Sequence, residues 1–435
     1  MQVSTCAQSV AGQGGCQREA TARGTNLARA MLLFSMILSS PIKILIPAIL
    51  IISGLLAAVN PVFAQTWTQT SAPNDYWASV ASSADGTRLA AVISGGLIYT
   101  STNSGVTWLA TSAPSKDWTS IASSADGTKL VAVGDGAYGN LCPIYTSTNS
   151  GATWTSHSVI DYVYWSSVAS SADGTKLAAA TFDQGRIYVS TNSGSTWNNA
   201  GAPSQKWNAV ASSADGTRLV AAAYNDGIYT NTGAGWNECG APIAPWYSVA
   251  SSSDGTKLVA GGQGGPIFVS TDSGATWTSN SVPGYVPGYV FWISIASSAD
   301  GTRLIAENGH PLIGPIYTST NSGISWISNS VSGEFWEGAA SSADGNKLVA
   351  VVFGGGIYTS YSIPTPQLNL MTSSNNLALS WLVPSTNFVL QQNSDLATAN
   401  WVTLTNTPVL NFSNLQDEIV LSPTNGSGFF RLISQ

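Results

Sequence analysis

The chain of 435 residues is 44% apolar, 10% aromatic and only 9% charged, with 43 glycines and 16 tryptophans. So few charges among so many glycines exclude a coiled coil, a helical bundle and a disordered chain. The formal net charge is −7 and no stretch clusters Lys and Arg, which excludes a protein that tracks nucleic-acid phosphates.

Ile44 to Val59 is apolar or small without a charge, preceded by Lys43 and followed by Asn60-Pro61-Val62-Phe63-Ala64. A positive flank, an apolar core and a small residue at the exit make residues 1–64 an export signal, cleaved after Ala64. The core of sixteen residues falls short of the ~20 that span a bilayer as a helix, and Pro47 and Gly54 weaken it further as an anchor. The expected address is therefore secreted, periplasmic or cell-surface, with membrane contact only through the signal. Cys6 and Cys16 leave with it, and Cys142 and Cys239 are expected to be unpaired thiols.

Residues 65–362 repeat one unit. Its opening tryptophan recurs at Trp77, Trp118, Trp165, Trp207, Trp246, Trp292 and Trp336, at spacings of 39 to 47 residues, each followed by a Ser-Ser-Ala/Ser-Asp-Gly turn. Seven openings and seven turns make seven units. Each reads as four short strands. Strand A is W-x-S-V/I-A-S, ended by an Asp-Gly hairpin; strand B is T-K/R-L-V/A-A; strand C is I-Y-T-S; strand D begins at a second tryptophan. Such units predict an all-β, seven-bladed β-propeller. The second set of tryptophans is Trp67, Trp108, Trp154, Trp197, Trp236, Trp277 and Trp326. Trp67 precedes the first strand A, and the last copy lacks its own strand D. Residues 65–69 are therefore expected to supply the outer strand of the seventh unit and close the ring. Tyr99, Tyr145, Tyr188, Tyr229, Tyr317 and Tyr358, which recur on strand C, read as core.

The link from strand C to strand D is Ser101-Thr102-Asn103-Ser104-Gly105-Val106-Thr107-Trp108, with close copies at Ser147–Trp154, Ser190–Trp197, Ser270–Trp277 and Ser319–Trp326. It resembles the Asp-box, or bacterial neuraminidase repeat, S-x-D-x-G-x-T-W. The resemblance implies a propeller whose boxes are tight hairpins, with Gly at the positive φ and Trp between sheets. Asp272 keeps the acid, whereas Asn103, Asn149, Asn192 and Asn321 hold an amide, so the box is read as structural. The fourth unit departs: Thr230-Asn231-Thr232-Gly233-Ala234-Gly235-Trp236 is two residues shorter between Tyr and Trp. Families with this box include sialidases, some glycoside hydrolases, sorting-receptor ectodomains and photosystem assembly factors. The resemblance to sialidases implies three arginines clamping a carboxylate. Here Arg88, Arg218 and Arg303 alternate with Lys129, Lys176, Lys257 and Lys347 in a D-G-T-R/K slot read as a solvated face. Arg431 lies outside the repeats, leaving Arg186 alone, so sialidase activity is not expected. A photosystem-type assembly factor is also disfavoured, because its basic patch is missing.

A four-stranded unit places the A–B and C–D turns on one face and the B–C loops and D–A crossovers on the other. The first face is nearly identical in every copy, and all individuality falls on the second, which is therefore the expected recognition surface. Its candidate binding residues are Asp161, Tyr162, Tyr164, Arg186, Tyr285, Tyr289, His310 and Glu334. The tyrosines offer rings that stack on a sugar or a peptide. The favoured reading is a monomeric, non-enzymatic propeller binding an extracellular glycan or protein there. The alternative is a polysaccharide-active glycoside hydrolase or lyase using the rim carboxylates Asp183, Asp226 and Glu307. No cofactor and no metal site is expected, since neither His157 nor His310 has a ligand companion at useful spacing.

After Ile363-Pro364-Thr365-Pro366 the repeat stops. Residues 363–435 then carry strand-like runs that end in Phe429-Phe430-Arg431-Leu432, expected to form a small β-sandwich. This tail resembles the fibronectin- or immunoglobulin-like modules appended to exported bacterial proteins.

Overall fold

The computed structural model describes residues 66–136, 143–160, 163–284, 286–309, 313–329, 333–362 and, beyond these, 368–373, 376–382, 388–394, 398, 400–405, 408–411, 416–421 and 429–434. The export signal expected at 1–64, the Ile363-Pro364-Thr365-Pro366 stretch where the repeats stop and Cys142 lie outside the described residues. Every regular element among them is a β-strand.

Each repeat is an antiparallel four-stranded unit. In the third, Trp165–Ser170, Leu177–Thr181, Ile187–Ser190 and Asn198–Asn199 pair in chain order. Strand B is buried along its whole length in the second, third, fifth and sixth units, as in Leu130–Gly134 and Leu177–Thr181. Small and β-branched residues suit a strand covered on both faces. Each strand A lies against strand A of the next unit, and that of the seventh (Trp336–Ser341) lies against that of the first (Asp75–Ser82). The A strands therefore surround a common axis, and the fold is a β-propeller.

Two seams show how the ring holds together. Trp67–Gln69 pairs antiparallel with Ile357–Tyr361, matching Trp67 with Ser360, and the Trp67 ring sits 6.4 Å from that of Trp336. The first described strand thus completes the seventh unit. On the turn face, Ala84 N–H donates to Ala125 carbonyl, Ala125 to Ala172, Ala172 to Ala214, Ala214 to Ser253, Ser253 to Ala299, Ala299 to Ala343, and Ala343 back to Ala84, each at 2.7–2.8 Å.

The core lies between consecutive units. Ile98 of the first unit packs with Trp118, Ile121, Tyr145 and Trp154 of the second, and the pattern repeats around the ring. The opening tryptophans are almost completely buried. Each meets its strand-C aromatic edge-on at 5.2–5.6 Å, with Phe268 in place of tyrosine in the fifth unit. The second tryptophan stands just ahead of strand D rather than in it, except at Trp67 and Trp236.

Among the C-terminal described residues, Asn369–Ser373, Asn376–Leu382, Gln416–Leu421 and Val409–Asn411 form a four-stranded sheet. Val402–Thr403, Phe388–Asn393 and Phe429–Ser434 form a three-stranded one. Leu379, Trp381 and Ile419 from the first sheet and Leu390 from the second share one buried cluster. The Asn393 side-chain amide donates to the Thr398 carbonyl at 3.0 Å.

Candidate functional site

The two faces of the propeller differ in how their polar groups are satisfied. On the turn face, Asp85 accepts from the Ser83 hydroxyl (2.6 Å), the Thr87 N–H (2.9 Å) and the Thr87 hydroxyl (2.7 Å). The Asp126 carboxyl is held down at about 2, first by the Ser124 hydroxyl and then by the Thr128 N–H and hydroxyl. The boxes are equally self-contained: the Ser101 hydroxyl donates to Asn103 Oδ1 and accepts from Gly105 N–H, and Asn103 Oδ1 also accepts from Thr107 N–H. Asp272 makes the same contacts with a carboxylate. One detail exceeds expectation: the serine before the box glycine also has positive φ, 58° at Ser104 beside 87° at Gly105.

The cations of the D-G-T-R/K slot are not a solvated face. Arg88 donates to Ser150 Oγ at 2.6 Å, Lys129 to the Asp173 carbonyl at 2.9 Å, and Arg303 to Asn346 Oδ1 at 2.6 Å. Each reaches from its own turn to the next unit. A position that accepts either cation is here an inter-unit strut, because both side chains carry donors on a long stem.

The opposite face holds the candidate site. Strand B of one unit ends beside the start of strand A of the next, as where Tyr224 pairs with Pro245 and Asp135 bridges to Tyr164. Residues flanking the opening tryptophans thereby gather around the axis. Tyr164, Phe182, Tyr224, Tyr247 and Phe291 form a continuous arc of rings, with successive centroids 6.0, 5.9, 5.9 and 6.1 Å apart. The Lys206 ammonium stands 5.5 Å over Phe182. Burial pushes the Tyr164 hydroxyl upward, with Asp135 and Glu337 adding to it. Tyr76 and Phe353 pack with their rings tilted and centroids 5.0 Å apart, and Tyr76 is 55% exposed.

Glu337 follows an opening tryptophan, in the place held by Tyr247 in the fifth unit. In other units this place is a strut: Thr119 donates to the Trp165 carbonyl, Ser166 to that of Trp207 and Asn208 to that of Trp246. Glu337 Oε2 is buried without a hydrogen-bond partner, as are both oxygens of Glu307. Burial pushes Glu337 up to about 7, and pushes Glu307 well above the usual carboxylate range, with the Glu337 charge adding to it.

Glu307 therefore corrects the expectation of a loop carboxylate. It lies within strand B of the sixth unit, Leu304–Asn308, pairs with Ser294 and Ile316, and is 0% exposed. Its register position holds Val92, Val133, Ala180, Ala222, Gly261 and Val351 elsewhere. A Cβ on Gly261 would come within 2.5 Å of Trp292 Cβ and 2.8 Å of Ile295 Cδ1, so this position points at the next unit's strand A. The residue corresponding to Ile295 is Val or Ile in the first six units and Ala339 in the seventh. The large acid is matched by a small neighbour.

The other expected site residues scatter. Asp183 is exposed and accepts the Tyr164 N–H at 3.1 Å, placing it beside the arc. Asp226 ends strand B of the fourth unit rather than standing in a free loop. Its Oδ1 accepts from Gly227 N–H at 2.6 Å and from the Tyr229 hydroxyl at 3.3 Å. Arg186 is exposed and donates to the Tyr188 hydroxyl; Tyr289 is exposed; Glu334 bridges to Gly314. Asp161, Tyr162, Tyr285 and His310 lie outside the described residues. Of the arc, only Tyr164 was singled out from sequence. Phe182, Tyr224, Tyr247, Phe291 and Glu337 were missed, although each adjoins a repeat landmark at a position that varies between copies. No group of three or more His, Cys, Asp or Glu among the described residues is arranged to hold a metal, and Cys239 is a free thiol.

No family model and no curated protein matches the chain. Solved structures do. The chain is similar to "YCF48 bound to D1 peptide" (TM-score 0.52, 15% identity, 69% of this chain and 98% of that one) and to YCF48 from Cyanidioschyzon merolae (0.53, 15%, 69% and 99%). It is also similar to the β-propeller domain of Cps50 (Swd1) from Myceliophteria thermophila (0.53, 14%, 69% and 100%). At these identities the likeness establishes the fold, a β-propeller.

Proposed function

We propose that the chain is an exported recognition protein: a seven-bladed propeller of the Asp-box type with a C-terminal sandwich module, binding a protein partner through an extended peptide segment at the axial mouth. The observation that carries this reading is the arc from Tyr164 to Phe291. Five half-buried rings in contact offer a peptide a stiff, amphipathic wall that costs little side-chain entropy on binding. A propeller of the same fold, YCF48, is the one described as bound to a peptide. The hydrolase alternative needs two carboxylates facing a sugar, and Glu307 has no exposure from which to act.

The test is to present the full chain to overlapping-peptide and glycan arrays, then to repeat it with Tyr164→Ala/Phe182→Ala. Peptide binding that weakens at least about tenfold, with the melting transition kept cooperative, supports the reading. Binding confined to glycans, or peptide binding indifferent to both substitutions, overturns it.

A further inference from the structure

The shortened box of the fourth unit has a structural consequence on the turn face, away from the mouth. Where the following unit carries a full box, its serine fills the cleft beside the preceding unit's cation; at the boxless seventh unit Arg303 meets Asn346 instead. Arg88 donates to Ser150 at 2.6 Å, Lys129 to Ser193 at 3.3 Å and Arg218 to Ser273 at 2.9 Å. Four such clefts, closed by Ser150, Ser193, Ser273 and Ser322, each hold about 10 Å³. Between the third and fourth units no serine arrives. The chain there turns through Asn231, whose Oδ1 accepts from Gly233 N–H at 2.8 Å, and the cleft opens to about 200 Å³. Gly233 and Gly235 have φ of +95° and +114°, and a Cβ on either would meet nothing within 4 Å. The space is therefore open on the side of the deleted residues.

The lining is mixed. Leu177, Val189 and Leu219 supply apolar surface, while Asn231, Lys176 and the exposed Thr191 supply polar groups; the Ser190 hydroxyl is spent within its own box, donating to Asn192 Oδ1 and accepting from Gly194 N–H. The Lys176 ammonium is tethered to the Asp215 carbonyl at 2.9 Å, which fixes its position and leaves further N–H donors for a guest. The volume is below the ~300 Å³ at which pockets for drug-sized ligands begin, so it suits a single small ring. A pyranose matches such a lining, with C–H groups for the leucines and hydroxyls for the threonine and amide. A carboxylate on the ring would gain a charge-assisted bond from Lys176.

We propose that this cleft is a subsite for one uronic acid residue of an acidic glycan. Deletion of two box residues converts a sealed inter-unit joint into a binding site with Lys176 as its anion anchor.

The experiment titrates D-glucuronic acid and D-glucose into the full chain by ligand-observed NMR. Glucuronate is expected to bind with Kd on the order of 1 mM, at least about tenfold more tightly than glucose. A second protein replaces Asn231-Thr232-Gly233-Ala234-Gly235 by the seven residues Ser-Thr-Asn-Ser-Gly-Ala-Thr of positions 147–153. Refilling the cleft should abolish glucuronate binding without lowering the melting temperature. Lys176→Gln keeps the stem and removes the charge, and should bring glucuronate down to the level of glucose even if the refilled chain fails to fold. No saturable glucuronate signal, equal binding by the refilled chain, or indifference to Lys176→Gln each overturns the proposal.

Discussion

The turn face and the mouth of this propeller are built from the same strands but obey different rules. On the turn face the turn aspartates and the box acids and amides find their hydrogen-bond donors within their own turn or box, and the copies are closely alike apart from the shortened fourth box. At the mouth, aromatic rings pack against one another, and the buried oxygens of Glu307 and Glu337 are left without donors. The difference teaches where the fold stores its stability and where it leaves room for chemistry. A satisfied turn can be copied, because its partners travel with it in sequence. An unsatisfied carboxylate cannot, because its neighbours come from another unit.

The comparison breaks most visibly at the seam. Trp67→Ala removes the anchor of the closing strand and should cost about 3 kcal/mol or more in chemical denaturation, with loss of cooperativity in the ring. An unchanged midpoint would mean that the ring does not depend on its opening strand. The next effect separates the mouth from the turns. Restoring the repeat pattern with Glu307→Val/Ala339→Val should stabilise the protein by about 2 kcal/mol at pH 8, because a buried unpaired carboxylate is replaced by packed methyl groups.

That gain should itself depend on pH. Glu307 and Glu337 have folded values raised above the ordinary 4.5, so the stability they allow is complete below pH 4.5 and declines as pH rises through about 7 for Glu337. The turn aspartates have the opposite sign: Asp126 contributes above its ordinary 3.8 and loses that contribution as pH falls through about 2. The melting temperature should therefore peak in mild acid and fall on both sides. In the double variant the decline between pH 5 and 8 should flatten, and an identical slope would count against the assignment. The smallest effect belongs to the boxes: Asn103→Asp should change stability by less than about 0.5 kcal/mol, since Asp272 already makes the same turn.

Much of the fold was legible because the repeat states it seven times. The tryptophan register marked each strand A, and the odd position of Trp67 marked the closing strand, which pairs as that register requires. The site was harder to read. Asp183 and Glu307 looked alike in sequence, as acids after a strand B, yet one is exposed and the other sealed. What separates them is register: Glu307 falls three residues earlier, within the strand, where its side chain points into the next unit. The arc was hidden for a related reason. Phe182 and Tyr224 lie about forty residues apart in sequence and meet only because the units wind round an axis. The deletion in the fourth box was visible from the start, but its meaning depended on knowing which serine closes the neighbouring cleft.

The seam between Trp67–Gln69 and Ile357–Tyr361 also governs the order of assembly. The first described strand pairs with the last strand of the repeats. No complete wheel exists until the seventh copy has been synthesised, and the early copies must wait with their outer neighbour missing. A chain that stops before Ile357–Tyr361 has no partner for Trp67–Gln69, so its units are left as an open arc with bare edges.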